Sequence, residues 1–339
     1  MKVIGGVKGF KTGYSACNYL GLQNSRNGFY VNARSALYAL IKICKWPRIW
    51  IPSYICDTVL KCVTLSKVPF EFYPVGLDLI SKFDSLKFSK GDAILLVNYF
   101  GVPVEESIYE DLKTKGLCIV EDLSQGAFSM PNDLSNFAIY SPRKFFAVPD
   151  GGVVISKAVE VNWPYSPPKT NQRLSDGIEA IAGRSLFNMN VLHSKEWVLS
   201  SQKSEAEMDV GLCPMSLFSR VQLISFIDFE FERNCRIRNF DYLSLELKGV
   251  SLIKDRRDAV PLAFPIVISR RDEVRKVLFN HDIYPAIHWN IEGLIPAEFV
   301  ESHQLSKKIM SIPCDGNYDI QDMKRIVDVL KTNCCDSLV

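Results

Sequence analysis

Histidine is scarce in this sequence, and its cysteines follow no metal-binding pattern. The 339 residues include four histidines and ten cysteines, and no two cysteines have the Cys-x-x-Cys spacing. Zinc sites and disulfide frameworks need clustered cysteine or histidine. We therefore expect no metal site and reduced thiols, as in the cytoplasm. The vicinal pair Cys334 and Cys335 is interpreted as incidental rather than redox-active.

The chain also lacks an excess of one charge and any long apolar run. Lys and Arg total 40 against 38 Asp and Glu, so no strong field favours nucleic acid or an anionic membrane. No segment approaches the roughly 20 apolar residues that span a bilayer. The opening MKVIGGVKGFKTGYSACNYLG has no apolar signal-peptide core. We expect a cytoplasmic protein that binds small molecules or further copies of itself.

What the chain does contain is an alternation of helical and strand patterns. One helix is predicted from apolar residues at helical spacing after a possible N-cap, Asn32: Ala33, Ala36, Leu37, Leu40, Ile41 and Cys44. Short apolar runs predict strands at 48–51, 70–75, 93–100, 117–122, 137–141 and 152–156, with helix-compatible segments at 53–66 and 104–115. This pattern is typical of an α/β domain with a mostly parallel sheet covered on both faces.

The length allows two domains. We predict a large domain over 1–230, within which the weakly patterned 160–215 is a variable, substrate-covering segment, and a small α/β domain over 231–339. A long helix from 216 is predicted from one apolar stripe: Leu217, Val221, Ile224, Ile227 and Phe231. The small domain is predicted to contain a strand at 260–269, a helix at 270–282, a strand at 283–289 and a final helix with Met323, Ile326, Val327 and Leu330 inward.

Three features fall where open α/β sheets bind ligands, at strand carboxyl ends and helix N-termini. They are the backbone N–H groups of Ala33, Arg34 and Ser35, the strand-end acids Glu121 and Asp122 with Gln125 just beyond, and Lys144 after the strand ending near Ser141. Each alone has an ordinary interpretation as a capped helix, a solvated acid or a surface cation. In this order they supply what pyridoxal 5'-phosphate needs: a phosphate cradle, a carboxylate for the pyridine nitrogen and an amine that forms a Schiff base.

These motifs resemble the DegT/DnrJ/EryC1/StrS family of pyridoxal-phosphate aminotransferases. The resemblance runs from VNARSALYAL through IPSYICDTV, NYFG, VEDLSQGAFS and SPRKFFAVPDGG to MSIPCDGNYDIQDMKRIVDVL. It implies the fold type I architecture, pyridoxal phosphate as cofactor, and a homodimer with active sites shared across its two-fold interface.

The same resemblance implies a role for each matched residue. Lys144 carries the cofactor, Asp122 pairs with the pyridinium, Gln125 contacts the ring hydroxyl, and residues 33–35 with Ser141 hold the phosphate.

Other positions leave alternatives open. Cys56 falls near the place where many members of the family stack an aromatic ring, with Tyr54 two residues earlier, and LCPMS stands where members often have an asparagine that reaches the partner's phosphate. Arg34 and Arg143 suit a phosphate, a substrate carboxylate or a plain surface role. His288 is placed to approach the site or to serve as a structural histidine.

The resemblance implies amino transfer from an amino acid, with glutamate expected, to a keto substrate. The family's usual acceptor is a nucleotide-linked keto-sugar in polysaccharide or secondary-metabolite biosynthesis. Lys144 argues against the dehydratases of the family, in which histidine replaces the lysine. Two alternatives remain: a non-catalytic or regulatory protein that binds pyridoxal phosphate, and an enzyme of this fold with another pyridoxal-phosphate reaction.

Overall fold

A seven-stranded sheet forms the centre of the protein. The computed structural model describes residues 26–157, 160–168 and 171–333, so Cys334 and Cys335 lie outside the described residues. Along the sheet the order is β1-β7-β6-β5-β4-β2-β3. The strands are β1 (Gly28–Tyr30), β2 (Ile49–Pro52), β3 (Phe70–Tyr73), β4 (Ala93–Val97), β5 (Cys118–Leu123), β6 (Phe137–Tyr140) and β7 (Gly152–Ser156).

The sheet is mainly parallel, as predicted. Strands β2 to β6 pair in parallel, and β7 pairs antiparallel with both β6 and β1. Every residue of β4 is buried, which explains why this strand reads as a continuous apolar run. The six predicted strands are all present: β7 has the predicted ends, and the ends of the others differ by at most three residues. Strand β1 was not predicted, because three residues are too few to show a pattern.

Helices cover this sheet and continue into the C-terminal part of the chain. The first begins as predicted, since the Asn32 side chain accepts a hydrogen bond from the Ser35 N–H at 2.8 Å. The helices of the described residues are α1 (Ala33–Cys44), α2 (Asp57–Ser66), α3 (Glu106–Thr114), α4 (Gln172–Asn188), α5 (Trp197–Ala206), α6 (Leu217–Ser225), α7 (Phe229–Glu246), α8 (Arg271–Asn280), α9 (Val300–Lys308) and α10 (Ile320–Asn333).

Gly152, the first residue of β7, lets this strand pass directly beside the start of α1. A Cβ atom at position 152 would lie 2.0 Å from the Asn32 carbonyl carbon and 2.4 Å from the Ala33 nitrogen. Real Cβ atoms do not approach backbone this closely, so only glycine fits. The glycine pair after Lys144 therefore joins the lysine loop to the start of α1.

The weakly patterned segment 160–215 contains two packed helices, α4 and α5. Helix α4 buries charged and small residues on its inner face, among them Arg173, Asp176, Gly177 and Arg184. Such a face shows no apolar stripe, which is why the sequence pattern missed it. Arg173 pairs with Asp150 of the Pro-Asp-Gly-Gly loop at 3.2 Å and so ties α4 to the lysine loop.

The single helix predicted from 216 is wrong: the chain forms α6 and α7, separated at 226–228. Asp228 begins α7 by accepting a hydrogen bond from the Phe231 N–H at 2.9 Å. The predicted stripe is not inward throughout, since Leu217 is 76% exposed and Val221 is 51% exposed. The first turn of α7 also spans the predicted domain boundary at 230/231.

The C-terminal part is built on a two-stranded antiparallel sheet of β8 (Phe264–Val267) and β9 (Ile309–Ile312). The strand predicted at 260–269 is confirmed as the shorter β8, and the helix predicted at 270–282 is confirmed as α8. A strand at 283–289 is wrong, because this segment contributes only isolated bridge residues, Ile283 and Ala286, the latter paired with Ser311. Strand β9 and helix α9 were not predicted. Helix α10 buries Met323, Ile326, Val327 and Leu330 as expected.

Candidate active site

A cavity of about 230 Å³ opens at the carboxyl ends of β4, β5 and β6, beside the start of α1. Its floor includes Val97, Asp122 and Ile139, which sit opposite one another in three neighbouring strands. Most of the residues expected at a functional site line this cavity: Ala33, Arg34, Cys56, Asp122, Gln125, Ser141, Arg143, Lys144 and His288.

Asp122 and not Glu121 supplies the strand-end carboxylate of the cavity. Asp122 is 9% exposed and lines the cavity, where its Oδ1 accepts a hydrogen bond from the Ser124 N–H at 2.8 Å. Glu121 points to the other face of the sheet, as alternation along a strand requires. Its carboxylate accepts hydrogen bonds from Tyr109 Oη at 2.8 Å and Asn98 Nδ2 at 3.0 Å. Burial raises the pKa of Glu121, although these hydrogen bonds oppose the shift.

Lys144 presents its side chain to the cavity from the loop that follows β6. It ends a short 3-10 turn, Pro142–Lys144, in which its backbone N–H donates to the Ser141 carbonyl at 3.0 Å. Phe145 and Phe146 follow and are buried in an apolar cluster, so the turn is anchored. Among the residues that the structure describes, Lys144 forms no ion pair. Burial lowers its pKa, an effect that nearby Arg143 reinforces and Asp122 opposes.

Gln125 offers an unused hydrogen-bond donor. Its side-chain oxygen accepts from the Phe100 N–H at 2.6 Å, and this contact fixes the orientation of the amide. The nitrogen Nε2 is buried and has no hydrogen-bond partner in the described part of the chain. A buried donor without a partner is costly, so the cavity is suited to a ligand that presents an acceptor here.

Two arginines at the cavity share one carboxylate. Glu205 of α5 accepts from Arg34 at 2.9 Å and from the two terminal nitrogens of Arg143 at 2.7 and 3.0 Å. Burial alone would raise the pKa of Glu205, but Arg143 and Arg34 outweigh that effect and hold it below the usual value. Both arginines are therefore engaged in ion pairs at the cavity. Glu205 was not predicted at the site, because no local sequence pattern marks it.

Aromatic rings reach the cavity from the C-terminal part. His288 and Trp289 both line it. His288 Nδ1 lies 2.9 Å from Ser311 Oγ. Burial, with the nearby charge of Lys144, lowers the pKa of His288 to about 3. Cys56 lines the cavity too, with its Sγ 3.2 Å from Thr58 Oγ1. Trp289 was not predicted, since nothing local in the sequence links it to a strand end in the other half of the chain.

Two residues expected at the site lie elsewhere. Ser35 is fully buried, and its N–H is taken by the Asn32 cap, so it is not available to a phosphate. Tyr54 is also fully buried; its hydroxyl donates to the His288 carbonyl and accepts from the Trp289 N–H at 2.8 Å. Tyr54 therefore supports the segment that carries His288 and does not line the described cavities.

Two larger cavities adjoin the first. One, of about 890 Å³, lies between the α4–α5 pair and the C-terminal part and shares Arg143, Lys144, Glu205 and His288 with the smaller cavity. The other is a groove of about 1550 Å³ between α2, the end of α5 and residues 290–296, and it shares Arg34 and Glu205. Lys144 thus lines both the 230 Å³ cavity and the 890 Å³ cavity.

Comparison with solved structures identifies the fold of this chain. No protein-family model and no curated protein sequence matches the chain. Solved structures do match. Helicobacter pylori PseC, an aminotransferase involved in pseudoaminic acid biosynthesis, superposes with a TM-score of 0.68 at 16% identity, covering 98% of this chain and 99% of that one. The chain has the same fold.

Two further solved structures also match the fold of this chain. A DegT DnrJ EryC1 StrS aminotransferase from Brucella abortus matches at a TM-score of 0.62 and 17% identity, over 93% of this chain and 87% of that one. Spr1654 of Streptococcus pneumoniae, described as a sugar aminotransferase and solved in a form with pyridoxal phosphate, matches at 0.66 and 11% identity, over 95% and 92%. The expected fold type I class is confirmed.

No group of three or more His, Cys, Asp or Glu side chains in the described residues is arranged to hold a metal ion. Nor does any helix in this part of the chain have the length and apolar character needed to cross a bilayer.

Proposed function

We propose that this protein is a pyridoxal-phosphate-dependent aminotransferase. One observation carries the proposal: a single cavity collects the Lys144 amine, the Asp122 carboxylate and the unused amide donor of Gln125. These groups fit the cofactor, because Gln125 Nε2 lacks an acceptor and the Ser141 hydroxyl forms no hydrogen bond with the described part of the chain. The fold shared with aminotransferases supports the same conclusion.

Each residue has a role that follows from its surroundings. When bound, pyridoxal phosphate would supply an aldehyde for the amine and an aromatic ring that withdraws electrons from the substrate Cα. Asp122 would hold a proton on the ring nitrogen, and Gln125 would donate to the ring hydroxyl. Ser141 and the first turn of α1, with Ala33 and Arg34, face the phosphate. Cys56, which lines the cavity, would lie against the ring where a stacked aromatic is expected.

Lys144 both holds the cofactor and moves the proton. An amine with a lowered pKa is more often neutral near pH 7, and only the neutral amine attacks an aldehyde or accepts a proton. The turn at 142–144 keeps its amine at one position. When it does not hold the cofactor, the same Lys144 amine would accept and return the proton at the substrate Cα.

We assign the donor as glutamate and the acceptor as a keto-sugar linked to a nucleotide. The 890 Å³ cavity beside Lys144 is where the acceptor binds, since its volume suits a molecule of this size. The descriptions of Spr1654 from Streptococcus pneumoniae and CalS13 from Micromonospora echinospora as sugar aminotransferases support an acceptor of the sugar class. The product would enter polysaccharide or secondary-metabolite biosynthesis in the cytoplasm.

A homodimer with shared active sites forms part of the proposal. Leu217 and Val221 project from one side of α6, 76% and 51% exposed, and exposed apolar neighbours often mark an interface. Residues 1–230 would form the large domain that builds this interface, and 231–339 the small domain.

The alternative is a protein that binds the cofactor but does not turn over. Cys56 in place of an aromatic ring is the observation that favours it. Amino exchange separates the two functions: the loaded enzyme, mixed with glutamate, should release 2-oxoglutarate, whereas a binding protein should not. Binding spectra alone would not distinguish them.

A borohydride experiment tests the shared premise. Wild-type protein loaded with pyridoxal phosphate and reduced with borohydride should carry the cofactor on the peptide containing Lys144. Lys144→Ala should carry none. Loaded wild-type protein without a reduced adduct would contradict the proposed function.

A further inference from the structure

Glu205 occupies a position at which three cavities meet. It lines the 230 Å³ cavity, the 890 Å³ cavity and the 1550 Å³ groove. Its carboxylate accepts three hydrogen bonds of 2.7–3.0 Å from Arg34 and Arg143, and both arginines line the 230 Å³ cavity. The Arg34–Glu205–Arg143 triad therefore forms the wall between the small cavity and both larger spaces.

The charges of this triad do not balance. Two guanidinium groups face a single carboxylate, which leaves one positive charge at the wall, and the amine of Lys144 lies nearby. Arg143 also keeps a buried Nε with no hydrogen-bond partner among the described residues. A dianionic group would neutralise the arginines more completely than Glu205 does, and guanidinium pairs bind phosphate or carboxylate oxygens in a bidentate manner.

Glu205 is also easily displaced. Its side chain is 48% exposed, and ion pairs in contact with water contribute little to stability. It lies in the last turn of α5 and approaches the arginines from outside the sheet, whereas Arg34 and Arg143 sit beside the central strands. The carboxylate can leave without disturbing the core.

We propose that Arg34 and Arg143 form an anion-binding site, that Glu205 occupies it as an internal ligand in the free protein, and that an anionic group entering the small cavity displaces Glu205. The ligand class is a phosphate monoester or a carboxylate. If the proposed function holds, its source is the cofactor phosphate or the amino donor. Displacement frees α5 at the wall and connects the small cavity with the larger ones.

The test measures inorganic phosphate binding to the cofactor-free protein by calorimetry. Glu205→Gln keeps the shape of the side chain and removes the competing charge, so it should bind phosphate about tenfold more tightly than wild type. Glu207→Gln is the matched control, because Glu207 lies two residues further on, is exposed and has no ion pair in the described chain. Its affinity should equal that of wild type. Equal or weaker binding by Glu205→Gln would overturn the proposal.

Hydrogen exchange gives a second measurement that needs no variant. Phosphate should increase amide exchange in the last turn of α5 in the wild-type protein, because the contact of Glu205 with Arg34 and Arg143 is lost there. Unchanged or slower exchange there, at saturating phosphate, would rule out displacement even if phosphate binds.

Two further titrations identify the source of the anion. If it is the cofactor phosphate, Glu205→Gln tightens binding of pyridoxal phosphate and leaves pyridoxal unchanged. If it is the donor carboxylate, the variant tightens glutamate binding and leaves pyridoxal phosphate unchanged. Inorganic phosphate binding needs no lysine chemistry. Phosphate binding therefore tests the anion site independently of the proposed function. Phosphate can bind to a protein that forms no Lys144 adduct, and a protein that forms the adduct can lack the anion site.

Discussion

Glu121 and Asp122 are consecutive in β5, yet their carboxylates lie on opposite faces of the sheet. Glu121 is 2% exposed and engaged by Tyr109, Asn98 and the Asn132 N–H, while Asp122 opens into the cavity. The alternation of side chains along a strand therefore assigns one acid to structure and the other to the site.

Substituting each of these acids should have a different effect. Asp122→Asn keeps the shape but removes the charge that favours a protonated ring nitrogen. We expect Lys144 still to form a borohydride-reducible link, while the half-reaction with glutamate slows by orders of magnitude, since about 1.4 kcal/mol already costs tenfold. Stopped-flow absorbance measures this rate. An unchanged rate would show that Asp122 is not the partner of the ring nitrogen.

Glu121→Gln is the matched variant. Its amide has only one acceptor oxygen, so when this oxygen accepts from Tyr109 and Asn98, the NH2 group is left facing the Asn132 N–H, which also donates. We expect it to lower the free energy of unfolding by about 1–3 kcal/mol, while the half-reaction rate stays within a few-fold of wild type. Urea unfolding with circular dichroism measures the loss. A variant as stable as wild type would contradict this account of the buried carboxylate.

Gly152→Ala should strongly destabilise the protein. The added Cβ would lie 2.0 Å from the Asn32 carbonyl carbon, and neither backbone can move without separating β7 from the start of α1. We expect a loss above about 3 kcal/mol in the free energy of unfolding, because backbone overlap exceeds ordinary overpacking. Thermal unfolding measures it. Gly211→Ala, where nothing lies within 4 Å of the new Cβ, should behave like wild type.

His288 should make stability sensitive to acid. Its pKa is lowered to about 3 in the folded protein and is near 6.5 in the unfolded chain. As pH falls below 6.5, the unfolded chain takes up a proton that the folded protein does not, so stability falls by up to about 1.4 kcal/mol per pH unit until pH approaches 3.

The variant His288→Gln removes this proton uptake. Urea unfolding of both proteins between pH 7 and 4.5 should show wild type losing stability faster than the variant as pH falls. A constant difference between the two proteins across that range would mean that His288 titrates normally.

The proposed dimer depends on α6. Replacing Leu217 and Val221 together with glutamate should convert the dimer to a monomer at micromolar concentration in sedimentation velocity, because charges would replace an apolar contact. Leu245→Glu, at an equally exposed apolar position near the end of α7, is the control and should remain dimeric. A wild-type monomer, or a double variant that stays dimeric, would contradict this interface.

The sequence by itself determined the α/β class, the six central strands, helix α1 with its Asn32 cap, and the order of the residues that line the small cavity. These depend on local patterns: apolar runs in buried strands, a helical stripe and polar residues where strands end. Because parallel strands end at one edge, Asp122, Gln125, Ser141 and Lys144 had to meet there.

Only the tertiary structure decided which groups remain available at that edge. In the fold, Glu121 points away from the cavity and the Ser35 N–H is hydrogen-bonded to the Asn32 cap. The Tyr54 hydroxyl supports the segment that carries His288, and both Glu205 and Trp289 line the cavity. Helices α4 and α5 also appeared only in the tertiary structure, because α4 buries arginine and aspartate that pair with partners distant in sequence. No local pattern records such long-range pairing, since its free energy depends on contacts that exist only after the chain has folded.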